Sequence, residues 1–136
     1  MGARTKARKR ALDILFSADV RGDDIAVTLT AEAKRAASEP AREASWLYAR
    51  EIVDGILDHS DDIDESIVTH SRDWKLERMP TVDRALLRIG VWEILYNEAV
   101  PTAVAIDEAV ELAKEFSTDD SGAFVHGVLA RVARAS

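Results

Sequence analysis

Five cationic side chains stand within the first 12 residues, where no acidic residue occurs: Arg4, Lys6, Arg8, Lys9 and Arg10. Arginine and lysine neutralise phosphate groups, and binding of that kind weakens steeply as salt is raised. This basic arm leads directly into an amphipathic helical pattern, in which Phe16 follows two turns later. An aromatic ring can stack an unpaired base, which is worth about 1–3 kcal/mol. The arm therefore indicates a segment that binds nucleic acid, although a solubilising tail has the same composition.

A second candidate site is the polar segment between Phe116 and Phe124. The pattern predicts a loop between two helices, with Ser117 or Thr118 as the N-cap and Asp120 at the start of the next helix. Two interpretations of the rings are open. Either both rings belong to the core, or one ring stays partly exposed beside free backbone N–H groups. In the second case the loop can hold a base and a phosphate.

Common enzyme and metal motifs are absent from the sequence. There is no cysteine, which excludes disulfides, thiolate metal sites and a cysteine nucleophile. The six glycines form no phosphate-binding loop, and the three histidines stand far apart. The acidic run from Asp61 to Glu65 lacks the glycine and the closing acid of a calcium loop. We therefore expect no catalytic motif, no metal site and no cofactor.

Charge is distributed unevenly along the chain. The sequence has 136 residues, 18 of them basic and 25 acidic, and a formal net charge of −7. Without the five cations of the arm, 13 basic side chains face 25 acidic ones, so the remainder carries −12. A basic arm on an acidic body predicts one surface for an anion such as RNA and another for a basic protein. No apolar run spans a bilayer or forms a signal peptide, so we expect no membrane contact and a cytoplasmic protein.

The elements that must position these residues are helices. Apolar residues recur at helical spacing, and hydrophobic residues make up 47% of the chain, which is enough for a core. We predict helices over about residues 5–20, 28–38 and 42–59. Ser60 is the predicted N-cap of a fourth helix, whose apolar stripe is Ile63, Ile67 and Trp74.

The C-terminal half is also predicted to be helical. The segment 81–97 is apolar nearly all round, which is typical of a central helix. Pro101 and Thr102 open the next helix, which is predicted to point Ala105, Ala109, Leu112, Ala113 and Phe116 inward. A last helix follows the polar loop. The natural division lies near residues 76–80, which predicts a helical subdomain with the arm over 1–76 and a second over 77–136 within one domain.

Four blocks of this sequence carry a resemblance to a known family. They are residues 4–16, 48–55, 82–94 and, most specific, Ala-Ile-Asp-Glu-Ala-Val-Glu-Leu-Ala-Lys at 105–114 after Val100 and Pro101, with Asp-Ser at 120–121 and Phe-Val-His-Gly-Val-Leu at 124–129. With these blocks the chain resembles the NusB family of bacterial transcription antitermination factors. The Asp-Ser pair and the tryptophans resemble actinobacterial members.

The resemblance implies a fold and a function. The implied fold is two roughly perpendicular helical bundles with about seven helices in all. A NusB-like protein is not an enzyme and has no catalytic residue. It pairs with NusE, a ribosomal protein of the small subunit, and the pair binds the boxA element of RNA, mainly in ribosomal RNA operon transcripts. Other Nus factors and RNA polymerase are indirect partners.

Carried onto matching positions, the resemblance also implies site residues. RNA contacts fall on Arg4, Lys6, Arg8, Lys9, Phe116, Asp120, Phe124 and His126. The face for NusE falls near Phe16, Asp83 and Glu93. The family usually has asparagine where His126 stands, and neutral histidine offers one donor and one acceptor in a different geometry.

Two alternatives to this function remain. One is an RNA-binding domain related to those of ribosomal RNA cytosine methyltransferases. The other is a non-catalytic helical module that forms a homodimer and has no RNA role. The charge distribution itself predicts weak RNA binding by this protein alone and tighter binding with a basic partner, which would cover acidic surface.

Overall fold

Helices form the regular structure of residues 2–39, 43–72 and 74–136, the part of the chain that the computed structural model describes. Seven α-helices follow one another there: α1 Ala3–Arg21, α2 Ile25–Ala37, α3 Glu43–Asp58, α4 Ser60–His70, α5 Thr81–Tyr96, α6 Thr102–Phe116 and α7 Ser121–Ala135. A short 3-10 turn, Leu76–Arg78, precedes α5. Within the described ranges, no helix has the length and apolar character needed to cross a membrane. The prediction of an all-α fold with about seven helices is confirmed.

Residue types at the helix ends explain where the first two helices end and begin. Gly22 ends α1 in a left-handed conformation with a φ of 70°, which glycine adopts at little cost. The Asp24 side chain then accepts a hydrogen bond of 3.1 Å from the backbone N–H of Ala26 and caps α2. For this reason α2 begins at Ile25 rather than near residue 28.

Helix α5 lies at the centre of the fold. It packs against α1, α3, α4, α6 and α7. Its buried side chains include Leu86, Leu87, Ile89 and Val91, which point in different directions around the helix axis. The prediction that this segment is a central helix is confirmed.

Two glycines allow other helices to approach α5 closely. A Cβ atom on Gly55 of α3 would lie 1.9 Å from Nε1 of Trp92, and one on Gly90 of α5 would lie 2.6 Å from Cδ1 of Leu129 on α7. Side chains at these positions would therefore overlap their neighbours, and glycine is required by the close packing of α3 and α7 on α5.

The helices form two groups around α5. In one group α1 packs on α2 and α3, and in the other α6 packs on α7. One buried apolar cluster joins the groups. Helix α4 packs more on α5 and α7 than on α3, although it precedes the predicted boundary between residues 76 and 77. That boundary stays a prediction. By its packing, α4 belongs with the C-terminal group of helices.

Three local predictions are wrong. Ser60 is the first residue of α4, and its N-cap is His59. Trp74 does not continue the α4 stripe of Ile63 and Ile67, because α4 ends at His70 and the Trp74 side chain is 54% exposed. Phe116 does not point into the core, since its ring lies at the end of α6 and is 40% exposed.

Candidate nucleic-acid interface

The basic arm is the first part of α1, and it is anchored to α6. The Thr5 hydroxyl donates a hydrogen bond of 2.7 Å to Oε1 of Glu108. The same carboxylate oxygen accepts a hydrogen bond of 3.1 Å from Nη1 of Arg8. Cations near a helix N-terminus oppose the helix dipole, and the Glu108 carboxylate offsets part of that repulsion. The arm is therefore helical without an external anion.

Arg8 is buried, with only 2% of its surface exposed. Its Nε donates to both carboxylate oxygens of Glu93, over 2.9 and 3.0 Å. Glu93 is 1% exposed and also accepts a hydrogen bond from the Tyr48 hydroxyl. The Asn97 side chain donates to that hydroxyl oxygen over 3.0 Å. A buried charge needs both an opposite charge and satisfied hydrogen bonds, and this network supplies both.

These positions correct two interpretations drawn from the sequence. Arg8 does not lie on the surface as an RNA contact, and Glu93 does not lie on the surface as a partner contact, because both side chains are buried. Their pairing instead holds α1 against α5. The sequence contains a signal for this role of Arg8. It precedes Leu12 and Leu15 by four and seven residues, which places it on the apolar face of α1.

Burial and neighbouring charges shift two ionisation equilibria in this network. Burial raises the pKa of the Tyr48 phenol, and the hydrogen bond to Glu93 and its negative charge raise it further. Burial acts to lower the pKa of Arg8, but the hydrogen bond and charge of Glu93, with Tyr48 and Glu108, raise it above its ordinary value. Tyr48 therefore stays neutral and Arg8 stays charged at physiological pH.

Asp83 holds the loop between α6 and α7 in place. It is 2% exposed and accepts hydrogen bonds from Ser117 Oγ over 2.5 Å and from Ser121 Oγ over 2.9 Å. The predicted N-caps Ser117 and Thr118 are wrong, because α7 begins at Ser121 with Asp120 at the cap position. Asp83 was also predicted to contact the partner protein. Its burial corrects that interpretation, and the two serine contacts make it a positioning residue for the loop.

Lys9 and Phe116, which the sequence places in separate candidate sites, meet on the surface. The Nζ atom of Lys9 lies 4.6 Å from the centroid of the Phe116 ring and 2.6 Å from Oδ1 of Asp13. The Phe116 residue is 40% exposed and the Lys9 side chain 34%. For Phe116 the exposed-ring interpretation of the loop is therefore correct. A cation beside an accessible ring can bind a phosphate while the ring stacks a neighbouring base.

Of the other cations of the arm, two are exposed to solvent and one is bound to another helix. Arg4 and Lys6 are exposed. The Arg4 guanidinium carbon lies 5.0 Å from the centroid of the Tyr48 ring, so this side chain is positioned by a cation–π contact. Arg10 instead donates a hydrogen bond of 2.8 Å to Oγ of Ser45 on α3. The arm thus presents Arg4, Lys6 and Lys9 to a ligand.

Phe124 forms an aromatic pair with Trp74. The ring centroids are 6.0 Å apart and the ring planes meet at 61°. Phe124 is partly buried, whereas Trp74 is more than half exposed. A mostly apolar cleft of about 200 Å³ lies beside the pair, and Met79, Pro80 and Asp120 also line it. Sequence reasoning missed Trp74 as a site residue because it assigned the ring to the stripe of a helix.

His126 is exposed, but the structure does not bring it to the aromatic pair. It follows Phe124 by two residues on α7, so the two side chains leave the helix about 200° apart. Asp120, also exposed, lies at the start of α7 and lines the cleft. The structure therefore groups Asp120 and Phe124 with Trp74, and it places His126 on another side of α7.

Phe16 lies on the exposed face of α1 that begins at Lys9. Asp13, Phe16 and Val20 follow Lys9 at helical spacing, and Phe16 and Val20 are 41% and 64% exposed. Phe16 and Val20 lie about one turn apart, and adjoining exposed apolar side chains with a polar rim are a candidate protein-binding surface. This strip continues directly from the contact of Lys9 with Phe116.

Comparisons with known proteins give a consistent result. The sequence model of the NusB family matches residues 5–134. The transcription antitermination protein NusB of Leifsonia xyli subsp. xyli is 66% identical over 134 residues, which cover 98% of this chain and 93% of the relative. The protein of the same name from Clavibacter sepedonicus is 62% identical over 135 residues, which cover 99% of this chain and 98% of the relative.

Solved structures share the architecture. A NusB structure from T. maritima aligns with a TM-score of 0.82 at 33% identity, over 96% of this chain and 90% of that one. A crystal structure of the antitermination factors NusB and NusE in complex with double-stranded RNA aligns with a TM-score of 0.83 at 27% identity, over 98% of each chain. The expected NusB-like fold is confirmed.

Proposed function

The chain belongs to the NusB family of transcription antitermination proteins, and on that premise we propose that it binds boxA RNA of ribosomal RNA operon transcripts as a pair with NusE. The pair works with other Nus factors, and through them with RNA polymerase, in the cytoplasm. The NusB relative solved with NusE and double-stranded RNA supports this choice of partners. The family is non-enzymatic, so the activity is binding.

The observation that carries the RNA part of the proposal is the contact between Lys9 and Phe116. Their separation of 4.6 Å joins the basic arm to the loop after α6 in one surface. A phosphate on Lys9 leaves the adjacent base within reach of the exposed ring. Electrostatic attraction to the backbone and stacking of the base then act on the same nucleotide.

The proposed RNA surface extends from this contact in two directions. Arg4 and Lys6 bind phosphates along the arm, and Phe124 and Asp120 receive bases at the cleft. A carboxylate such as Asp120 accepts hydrogen bonds from exocyclic amino groups of bases. His126 is proposed as an outlying contact on α7. Arg8 acts indirectly, because its pairing with Glu93 fixes the helix that carries the exposed cations.

The proposed surface for NusE is the strip of α1 formed by Asp13, Phe16 and Val20. It is exposed, apolar at its centre and acidic at one edge, which suits a basic protein. Glu93 supports this surface from within through its pairing with Arg8 of α1, whereas Asp83 positions the loop after α6. Because the strip begins next to Lys9, a basic partner bound there extends the cationic surface of the arm.

Titration of labelled boxA RNA tests the proposal. The protein is measured with and without NusE between about 50 and 200 mM salt, where phosphate contacts have a strong effect. We expect a steep salt dependence, tighter binding with NusE, and at least tenfold weaker binding by the double variant Lys9→Gln/Phe116→Ala. Lys34→Gln, which removes an exposed cation from α2, is the matched control and should retain wild-type affinity.

Three results argue against the proposal. Equal RNA affinity of the wild type and the Lys9→Gln/Phe116→Ala variant would show that RNA does not bind at the surface of Lys9 and Phe116. A dimer in light scattering that neither NusE nor RNA dissociates favours the homodimeric module. Methyl transfer to ribosomal RNA favours the methyltransferase-related alternative. The relatives argue against that alternative, because they are antitermination proteins that match this chain over 93% and 98% of their own lengths.

A further inference from the structure

The aromatic pair Trp74 and Phe124 stands between two clefts. The first is the cleft of about 200 Å³ that contains Asp120. The second, of about 350 Å³, also contains both rings and is lined in addition by Arg72, Gly127 and Arg131. The rings therefore form a ridge that is accessible from both sides, and only the first side is used by the RNA surface proposed above.

Two arginines, Arg72 and Arg131, line the second cleft, and the charge of a third, Arg134, acts on Arg131. Arg131 donates a hydrogen bond of 2.7 Å from Nε to the backbone carbonyl of His70, which fixes the plane of its guanidinium. Arg134 follows one turn later on α7. Arg72 stands after α4 in a left-handed conformation with a φ of 44°, and Trp74 lies two residues beyond it. We call Arg72, Arg131 and Arg134 the arginine cluster.

The arginine cluster has no counter-charge in the described ranges, where no carboxylate oxygen lies within 4.0 Å of its guanidinium nitrogens. Arg8, Arg84 and Arg88 are all paired with acids. Burial lowers the pKa of Arg131, and the positive charges of Arg72 and Arg134 lower it further. Like charges at one place repel each other, and an anion bound there relieves the repulsion.

We infer that the arginine cluster and the exposed face of Trp74 form a second RNA subsite, which binds a nucleotide beyond those held by the Lys9 and Phe116 surface. The base stacks on Trp74, and the adjoining phosphates bind Arg72 and Arg134 beside the fixed guanidinium of Arg131. The inference rests on the proposed RNA-binding function and extends its surface around the ridge to α7.

An acidic peptide is the other anion that could occupy this cleft, and the geometry favours RNA. Arg72 and Arg131 line the cleft beside a ridge of two rings, one of them 54% exposed, and every base has a face that can stack on such a ring. The ridge is also shared with the first cleft, so a single strand can pass from Asp120 to Arg131 without leaving the protein.

Two RNAs of different length test the inference. The short RNA is the smallest boxA fragment that wild-type protein binds, and the long RNA extends it by about six nucleotides at each end. We expect the long RNA to bind about tenfold more tightly, and Arg72→Gln/Arg134→Gln to abolish that difference while leaving the short RNA unaffected. The slope of log affinity against log salt should fall by about 1.4, since each phosphate contact to a single strand contributes about 0.7.

Trp74 provides a direct readout. Trp46 and Trp92 are 9% and 5% exposed, so stacking of a base should quench mainly the fluorescence of Trp74. Trp74→Leu identifies this signal and should lower affinity for the long RNA more than for the short RNA, because Trp74 also lines the first cleft. The double variant Arg21→Gln/Arg35→Gln, which removes two exposed arginines from α1 and α2, is the charge-matched control.

The outcomes separate this inference from the proposed function. If the short RNA binds and the long RNA gains nothing, or if Arg72→Gln/Arg134→Gln leaves the gain intact, the inference is wrong and the proposed function stands. If a polyglutamate peptide quenches Trp74 and the long RNA does not, the cleft binds protein. If neither RNA binds, both proposals fail.

Discussion

The ammonium nitrogen of Lys9 lies 4.6 Å from the centroid of the Phe116 ring, although the two residues stand near opposite ends of the chain. Thr5, one turn before Lys9, and Arg8, directly before it, both donate a hydrogen bond to Oε1 of Glu108, which precedes Phe116 by about two turns of α6. Side-chain contacts therefore link the first part of α1 to α6, while both helices pack on α5. The cation and the ring are held together by these contacts and by the shared packing on α5.

The contact of Lys9 with Phe116 should contribute to stability by a small but measurable amount. A double-mutant cycle of Lys9→Gln and Phe116→Leu, followed by urea denaturation, isolates it. We expect a coupling free energy of about 0.5–1 kcal/mol, the range of exposed cation–π contacts. Lys9→Arg should preserve the coupling. Strictly additive effects of the two substitutions would mean that the ring and the ammonium group do not interact in solution.

Glu93→Gln should destabilise the protein by about 3–5 kcal/mol, because it leaves the buried guanidinium of Arg8 without its main counter-charge. The measurement is the free energy of unfolding in urea at neutral pH. Arg50→Gln breaks an exposed ion pair of 3.6 Å with Asp54 and serves as the comparison, with an expected change below about 1 kcal/mol. Similar losses for both variants would contradict the structural role of the Arg8 and Glu93 pair.

Stability should fall at alkaline pH through Tyr48. The folded protein raises the pKa of this phenol, so its proton is held more tightly in the folded state than in the unfolded state. This stabilisation is complete below the ordinary tyrosine pKa of about 10. It is lost above that value, where the unfolded state has given up the proton, at about 1.4 kcal/mol per pH unit.

Urea denaturation measures this dependence between about pH 8 and pH 11, an interval that spans the ordinary tyrosine pKa. Tyr48→Phe is the informative variant, because it has no phenol proton to lose. Its free energy of unfolding should decline less steeply over the same interval. An identical decline in both proteins would assign the alkaline instability to other groups.

Asp83→Asn should loosen the loop between α6 and α7. The substitution removes the charge that receives the Ser117 and Ser121 hydroxyl groups, and hydrogen bonds to charged groups contribute about 1.5–3 kcal/mol. Faster amide exchange at Thr118, with the α1 amides unchanged, is the expected local signature. RNA affinity should fall as well, since Phe116 and Asp120 adjoin this loop. Unaltered exchange would show that the loop is held by its other contacts.

Helical periodicity was sufficient to predict the framework of the fold. The segment 81–97 is apolar nearly all round, and five of the other helices pack on the helix that it forms. The short breaks at Gly22 and Pro80 fall between helices, as their backbone preferences require. Local chemistry of this kind depends on neighbours in sequence, so a single sequence reveals it.

The site was predicted less completely, because tertiary packing decides which charges stay at the surface. The five cations of the arm stand close together in the sequence, yet Arg8 is buried and Lys6 is exposed. The acids that accept Arg8, Glu93 and Glu108, stand 85 and 100 residues away. Trp74 was placed in a helix because its spacing from Ile67 fits one, and only the structure shows that α4 has already ended.

The burial of Arg8 has a consequence for the thermodynamics of association. A disordered basic tail that orders on its target loses backbone entropy worth about 1–2 kcal/mol per residue. Here the exposed cations Arg4, Lys6 and Lys9 are carried on a helix that Arg8 and Thr5 have already fixed to the body of the protein. RNA binding by this arm should therefore proceed without a folding enthalpy, and its heat-capacity change should reflect only the surface that the two molecules bury.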